Sequence, residues 1–218
     1  SAAAVVLAAL LLGVAFSTWQ AVRATRAEAM ATQRLAESEA ISQFMTSVFQ
    51  SPDPARDGRT ITVAERLDSA AKKLDTDLAD QPARRATLQA TLGNTYSALG
   101  LFREAIPLQE KVLDYHRVTS GPKHPETLKT MGNLANSYAD AGRRDEAIKL
   151  LEEGLKLSGR VNGPEHPDTL GAMNNLALSY ADAGHRDEAI KLREEVLKLS
   201  NKVLGPEHPD TLTAMESR

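Results

Sequence analysis

The sequence predicts an all-α fold: an α-solenoid of helix hairpins preceded by a transmembrane helix and a helical stalk. Three observations carry this. Residues 128–169 (LKTMGNLANSYADAGRRDEAIKLLEEGLKLSGRVNGPEHPDT) return almost verbatim as residues 170–211, with a period of 42 and 32 of the 42 positions identical. Self-similarity at a period of roughly 20 to 50 residues marks stacked repeats. Each copy carries two helical apolar stripes around a glycine, Met131, Leu134, Ala135 and Tyr138 before Gly142, then Ala147, Leu150, Leu151 and Leu155 after it. Finally, Ser1 to Val22 contains no charged residue.

Taken in order, residues 1–22 read as a membrane-spanning helix, because about 20 apolar residues span roughly the 30 Å of a hydrocarbon core, with Trp19 at interfacial depth. The rival reading is a signal peptide, for which Gly13-Val14-Ala15 would serve as a small-residue cleavage site. A buried core helix is disfavoured, since nothing else in the chain is large enough to bury it. Residues 23–58 read as a helical stalk and a Pro-rich hinge. RATRAEAMATQRLAESEA (23–40) is made of good helix formers with little apolar stripe, whereas Ile41, Phe44, Met45, Val48 and Phe49 form a face that needs a partner. SPDPARDG (51–58) has two prolines and a glycine and breaks the helix.

Residues 59–82 predict an N-terminal capping helix. Thr62 and Glu65 have capping-box spacing, and Val63, Leu67, Ala70, Leu74 and Leu78 make one face that would cover the open end of the first repeat. The repeats fill 83–218, as 86–127, 128–169, 170–211 and a partial copy at 212–218. In the first copy Tyr96, Gly100, Ala105, Gly121, Pro122, His124 and Pro125 stand 42 residues before Tyr138, Gly142, Ala147, Gly163, Pro164, His166 and Pro167. Glycine at the end of the first helix suits a left-handed residue, and Pro167 with Asp168 suits the start of the next one. Tyr138 and Tyr180 are expected to be largely buried between the two helices of their own hairpins.

At Leu92, Gly93, Asn94, Tyr96, Gly100, Ala105 and Val112 the spacing LGNTYxxxGxxxEA resembles the tetratricopeptide repeat. The period of 42 with GPEHPDT between hairpins is similar to the kinesin light chain subtype. Two positions depart from the pattern: the aromatic at the start of the second helix is Phe102 but then Arg144 and Arg186, and a usually apolar site is Gln109, Leu151 and Arg193. The N-terminal layout, a membrane helix, an Arg/Ala/Glu stalk, ISQFMTSVFQSPDP and TITVAERLDSAAKKL before such repeats, resembles the region after the kinase domain of bacterial membrane-anchored serine/threonine kinases. The resemblance implies a single-pass protein of the bacterial inner membrane whose repeats lie outside the cytoplasm. Arg23 and Arg26 beside the apolar segment argue weakly for the opposite orientation.

Composition excludes more than it assigns. The chain has 218 residues, 25% of them charged, and a formal net charge of −3, which offers no electrostatic case for nucleic acid. With no cysteine, it has neither disulfides nor thiolate metal sites. GxGxxG, GxxxxGK[ST], HRD, DFG, HExxH and GxSxG are all missing, so no catalytic residue and no cofactor is expected, and the chain by itself is not expected to be an enzyme. His124, His166 and His208 recur once per hairpin, and hairpins stack about 10 Å apart, too far to share a metal ion. A structural role before the helix-starting proline is expected instead.

What remains is a surface. The resemblance implies that the first helix of each hairpin lines a concave groove. Its exposed positions would be Thr87, Ala90, Asn94 and Ala98, then Lys129, Gly132, Asn136 and Asp140, then Gly171, Asn174, Leu178 and Asp182. Asparagine amides both donate to and accept from an extended backbone, so Asn94, Asn136 and Asn174, with Lys129, Asp140 and Asp182, are the candidate peptide-binding residues. These asparagines are equally well read as solvated helix positions. Lys129 stands nearly alone among acids, which disfavours a bound C-terminal carboxylate. The expected partner is a protein or peptide, with the membrane engaged through residues 1–22. The alternative is self-association, since near-identical copies present complementary ends that permit dimers or head-to-tail assembly.

Overall fold

The computed structural model describes residues 18–32, 35–36, 38–39, 41–44, 46 and 63–205, in two units, residues 1–61 and residues 62–218. In the first unit residues 18–32 form α1, exposed throughout. The Arg23 guanidinium lies 5.4 Å from the centre of the Trp19 ring. Thr25 and Thr32 fold their hydroxyls back onto carbonyls of the preceding turn, Thr32 donating to Glu28 at 2.9 Å. Most of the expected membrane span, 1–17, and the hinge at 51–58 lie outside the described residues, as does the partial repeat at 212–218. Among the described residues no helix is long and apolar enough to cross a membrane.

The second unit is a run of helices: α2 (Val63–Asp77), α3 (Pro82–Ala98), α4 (Phe102–Thr119), α5 (Pro125–Asp140), α6 (Arg144–Asn162), α7 (Pro167–Asp182) and α8 (Arg186–Leu204). Helices α3/α4, α5/α6 and α7/α8 pair as hairpins, and α4 packs on α5 as α6 packs on α7. Each hairpin turns at a glycine that only a residue without a Cβ adopts cheaply. Gly142 has φ +78° and donates to the Ala139 carbonyl at 2.9 Å, while the next amide, Arg143, donates to the Tyr138 carbonyl at 2.8 Å. These paired bonds satisfy carbonyls that a helix end otherwise leaves open, and they recur at Gly100 and Gly184.

The return loop is organised by histidine. His124 and His166 are the N-caps of α5 and α7, each Nδ1 accepting from the backbone amide two residues on, Glu126 at 3.3 Å and Asp168 at 3.2 Å. Their role is therefore structural, with proline following in the first helical turn.

The core lies in the seams. Ile106 and Leu113 of α4 cluster with Met131 and Leu134 of α5, and Ile148 and Leu151 of α6 cluster with Leu176 of α7. Ala105, Ala147 and Ala189, at one register of the second helices, are buried in all three hairpins. Burial of this kind, spread over interfaces between neighbours, makes each hairpin dependent on the next.

The tyrosines correct one expectation. Tyr96 is 1% exposed, but Tyr138 and Tyr180 are only half-buried, and all three reach backward out of their own hairpins. The Tyr138 hydroxyl donates to Glu110 and the Tyr180 hydroxyl to Glu152, both at 2.7 Å and both 28 residues earlier on the second helix of the preceding hairpin. Tyr96 does the same to Asp68 of α2, at 2.7 Å and again 28 residues back. A phenol tip needs a polar partner, and the nearest acceptor belongs to the neighbouring layer.

Candidate peptide groove

The exposed face of α5 follows helical spacing through Glu126, Lys129, Asn133, Asn136 and Asp140. On α7 the corresponding exposed residues include Asp168, Gly171, Asn175, Leu178 and Asp182. Between these two helices, with α6 as its floor, lies a cavity of about 530 Å³. Such a volume is within the range that holds small ligands or side chains.

All six candidate residues, Asn94, Lys129, Asn136, Asp140, Asn174 and Asp182, are exposed. The cavity gathers only Lys129 and Asn136 of them. Asn94 sits on α3, one hairpin earlier, Asp140 lies one turn beyond the cavity on α5, and Asp182 lies two turns beyond it on α7. Asn174 is exposed outside the lining, and the residue that lines it is its neighbour Asn175.

Asn133 and Asn175 are the amides that sequence reasoning missed. They occupy one register 42 residues apart, and both line the cavity. The signal was present in the i, i+3, i+4 stripe from Lys129 through Asn133 and Asn136. The register read from the sequence runs through Gly132, which is half-buried.

The floor is apolar, with Met131, Leu151 and Leu155, and it dips at Gly154. Asn133, Asn136 and Asn175 present amides at the rim. Lys123 and Lys129 oppose Glu126 and Asp168 at the end where the helices start. Asp140 and Asp182 have no ion-pair partner among the described residues. Outside the groove, Arg143 pairs with Glu146 at 2.5 Å and stacks 4.3 Å from the Tyr138 ring centre, and that pairing lowers the Glu146 carboxyl below its ordinary range. A second cavity, between α2, α3 and α4, is crossed by the Lys111–Asp75 pair at 2.5 Å and by the Gln89 amide donating to Asp75 at 3.0 Å. Three of its polar side chains, Asp75, Gln89 and Lys111, are thus bonded to one another. Among the described residues no cluster of three histidine or acidic side chains could hold a metal ion.

This arrangement can hold an extended chain: amides to exchange hydrogen bonds with a backbone, and an apolar recess for a side chain. It contains no nucleophile paired with a base.

The tetratricopeptide repeat profile matches residues 84–158, 132–192 and 168–217, together more than half of the chain. A crystal structure described as a kinesin light chain of Podosopora anserina with nearly identical TPR-like repeats is 30% identical, covering 68% of this chain and 74% of that one, with a TM-score of 0.58. BtubC from P. vanneervenii, at 17% identity, covers 84% of this chain and 78% of its own with a TM-score of 0.56, and shares the fold. No curated protein matches the sequence. With its paired helices, glycine turns and 42-residue period, the chain belongs to the tetratricopeptide repeat family, and its repeats are of the kinesin light chain-like kind.

Proposed function

We propose that the repeats are the recognition module of a membrane-anchored protein and bind an extended peptide or a partner protein in the groove along α5 and α7. The observation that carries this is the cavity between the two helices, apolar at its floor and rimmed by Asn133, Asn136 and Asn175. Residues 1–22 supply the anchor in this proposal. The likeness of residues 1–82 to the segment after the kinase domain of bacterial receptor kinases supports a signalling role, with the repeats outside the cytoplasm and catalysis left to a kinase domain elsewhere in the parent protein. The chain described here then acts by binding alone.

A photo-crosslinking residue at Asn133 in the full chain is expected to capture the partner, and the same group at Lys198, on the second helix of its hairpin, is not. Capture from Lys198 with none from Asn133 would place the interface on the outer face.

A second reading, self-association, rests on the near-identity of residues 128–169 and 170–211, 32 of 42 positions, which gives the copies matching faces. Light scattering against concentration distinguishes them: a mass that stays constant as concentration rises removes self-assembly.

A further inference from the structure

We infer that the cavity between α5 and α7 is a specificity pocket, opened by Gly154, which accepts one bulky apolar side chain of a peptide whose adjacent residue toward Asp140 and Asp182 is Lys or Arg. This rests on the groove reading above and adds the class of ligand to it.

The first argument is internal to the chain. Residues 128–169 and 170–211 differ at only ten positions, and seven of those ten contribute a residue to the cavity wall. Of the 32 positions at which the copies agree, nine do. Divergence between two otherwise interchangeable hairpins is thus concentrated on one cavity. Most seam residues, among them Met131, Leu134, Ile148 and Leu155, are shared between the copies; Leu151, which is Arg193 in the next copy, and Gly154, which is Val196, are the exceptions.

The direction of the changes makes the second argument. Position 154 is glycine where the first and third hairpins have Val112 and Val196, which are 2% and 0% exposed. In a helix interior glycine is a poor choice beside alanine. Close packing does not require it: a Cβ at Gly154 would meet only the Met131 methyl, at an ordinary 3.9 Å. Gly132 and Gly171, also inside helices and on the cavity wall, have nothing within 4 Å of a built Cβ. The glycines create space rather than relieve a clash. The recess they leave is floored by Met131, Leu151 and Leu155, a surface that water solvates poorly and an apolar side chain fills well.

Charge sets the flank. At the end of the cavity where α5 and α7 begin, Lys123 and Lys129 balance Glu126 and Asp168. Asp140, one turn past Asn136 on α5, and Asp182, two turns past Asn175 on α7, are exposed and without ion-pair partners among the described residues. They make this end of the groove negative, so a cation on that flank of the apolar anchor is attracted and an acidic residue there is repelled.

The test uses fluorescein-labelled, amidated alanine heptapeptides with Leu, Phe, Ala or Asn at the centre and Lys or Glu at either flank, titrated against the full chain by anisotropy. Leu- or Phe-centred peptides with Lys at one flank are expected to bind at least about tenfold more tightly than their Ala-centred counterparts, as expected for a well-filled apolar pocket. Gly154→Val should erase that preference, Gly154→Ala should reduce it, and both should melt no lower than the parent. Asp140→Asn with Asp182→Asn should erase the preference for Lys over Glu. Preference for a bulky centre that survives Gly154→Val, or preference for Glu at the flank, overturns the inference. Asn133→Ala with Asn136→Ala should weaken all peptides equally, including the Ala-centred ones. If that holds while the central residue makes no difference, the pocket fails and the groove reading stands. If no peptide binds, both fall.

Discussion

Gln109→Leu should stabilise the protein, and the reason can be worked out atom by atom. Gln109 lies on α4 and is 4% exposed. Its Nε2 donates to the Ser97 hydroxyl at 3.2 Å, but its Oε1 is buried without a partner. Leaving a buried acceptor unpaired costs about 1 to 3 kcal/mol, and a long neutral hydrogen bond returns about 1 kcal/mol or less. Leucine removes both, and Ser97 keeps its contact with the Ser137 hydroxyl at 2.9 Å. The site accepts the shape. One repeat later Leu151 occupies the same register and is buried, with Ala135 where the first hairpin has Gly93. The side chain at 109 packs onto Gly93, where an added Cβ would lie 3.0 Å from the Gln109 Cγ, so leucine must lie in the space that the Gln109 stem already uses. The expected gain is about 1 to 2 kcal/mol, or a rise of roughly 2 to 8 °C in the melting midpoint for a unit of this size. Urea unfolding followed by circular dichroism measures it, with Ser97→Ala as the control for the lost donor partner. A loss of stability greater than about 0.5 kcal/mol, outside the range of neutral substitutions, would show that the amide is satisfied in solution and would refute the argument.

Further predictions concern the turns, the tyrosine links and pH. Gly142→Ala should cost about 1 kcal/mol by urea titration, because φ +78° is strained for any residue with a Cβ. Tyr96→Phe should destabilise more than Tyr180→Phe, by about 1 kcal/mol, since the bond to Asp68 lies on a buried ring and the bond to Glu152 is exposed to water. Equal losses in the two variants would contradict this. Burial and Glu110 push the Tyr138 hydroxyl up to about 12, against 10 when unfolded. The unfolded chain therefore loses its proton first, and stability present below pH 10 should decline between pH 10 and 12, less so in Tyr138→Phe. Burial holds the His116 imidazole below its ordinary 6.5 despite Glu126 nearby, with His124 adding to the effect. The unfolded state takes up that proton first, so stability should fall as pH drops below 6.5, and His116→Ser, which copies Ser158 in the same register, should flatten the decline.

How much of this was legible in the sequence depended on whether a signal was local or shared between layers. The hairpins, their glycine turns and the capping role of His124 and His166 follow from spacing and backbone chemistry alone, and each recurs with the period. Departures from the repeat were equally informative: the polar residue at 109 flagged the position that holds an orphaned amide oxygen. What failed was the direction of contact. Periodicity places Tyr138 inside its own hairpin, but its hydroxyl bonds to Glu110 in the layer before, a relation that apolar spacing within one helix does not encode. The groove was displaced by one residue for a similar reason. Repeat alignment equates Gly132 with Asn174, whereas the exposed stripe set by packing against α6 runs through Asn133 and Asn175.

That same layering explains α2. Asp68 stands 42 residues before Glu110, and Leu67, Ala70 and Leu74 stand 42 before Gln109, Val112 and His116. Leu67, Ala70 and Leu74 are its buried residues, and Asp68 receives the Tyr96 hydroxyl as Glu110 receives that of Tyr138. Helix α2 therefore takes the place of the second helix of a hairpin, in register with the repeats, and offers α3 the surface that α4 offers α5. Its outward side is where it differs. Val63 holds the register of Ala105, Ala147 and Ala189, which are buried against their own first helices, yet Val63 is exposed. The face that α2 turns toward α3, with Leu67, Ala70 and Leu74 buried and Asp68 bonded to Tyr96, satisfies the first hairpin's apolar seam as the second helix of each hairpin does for the next.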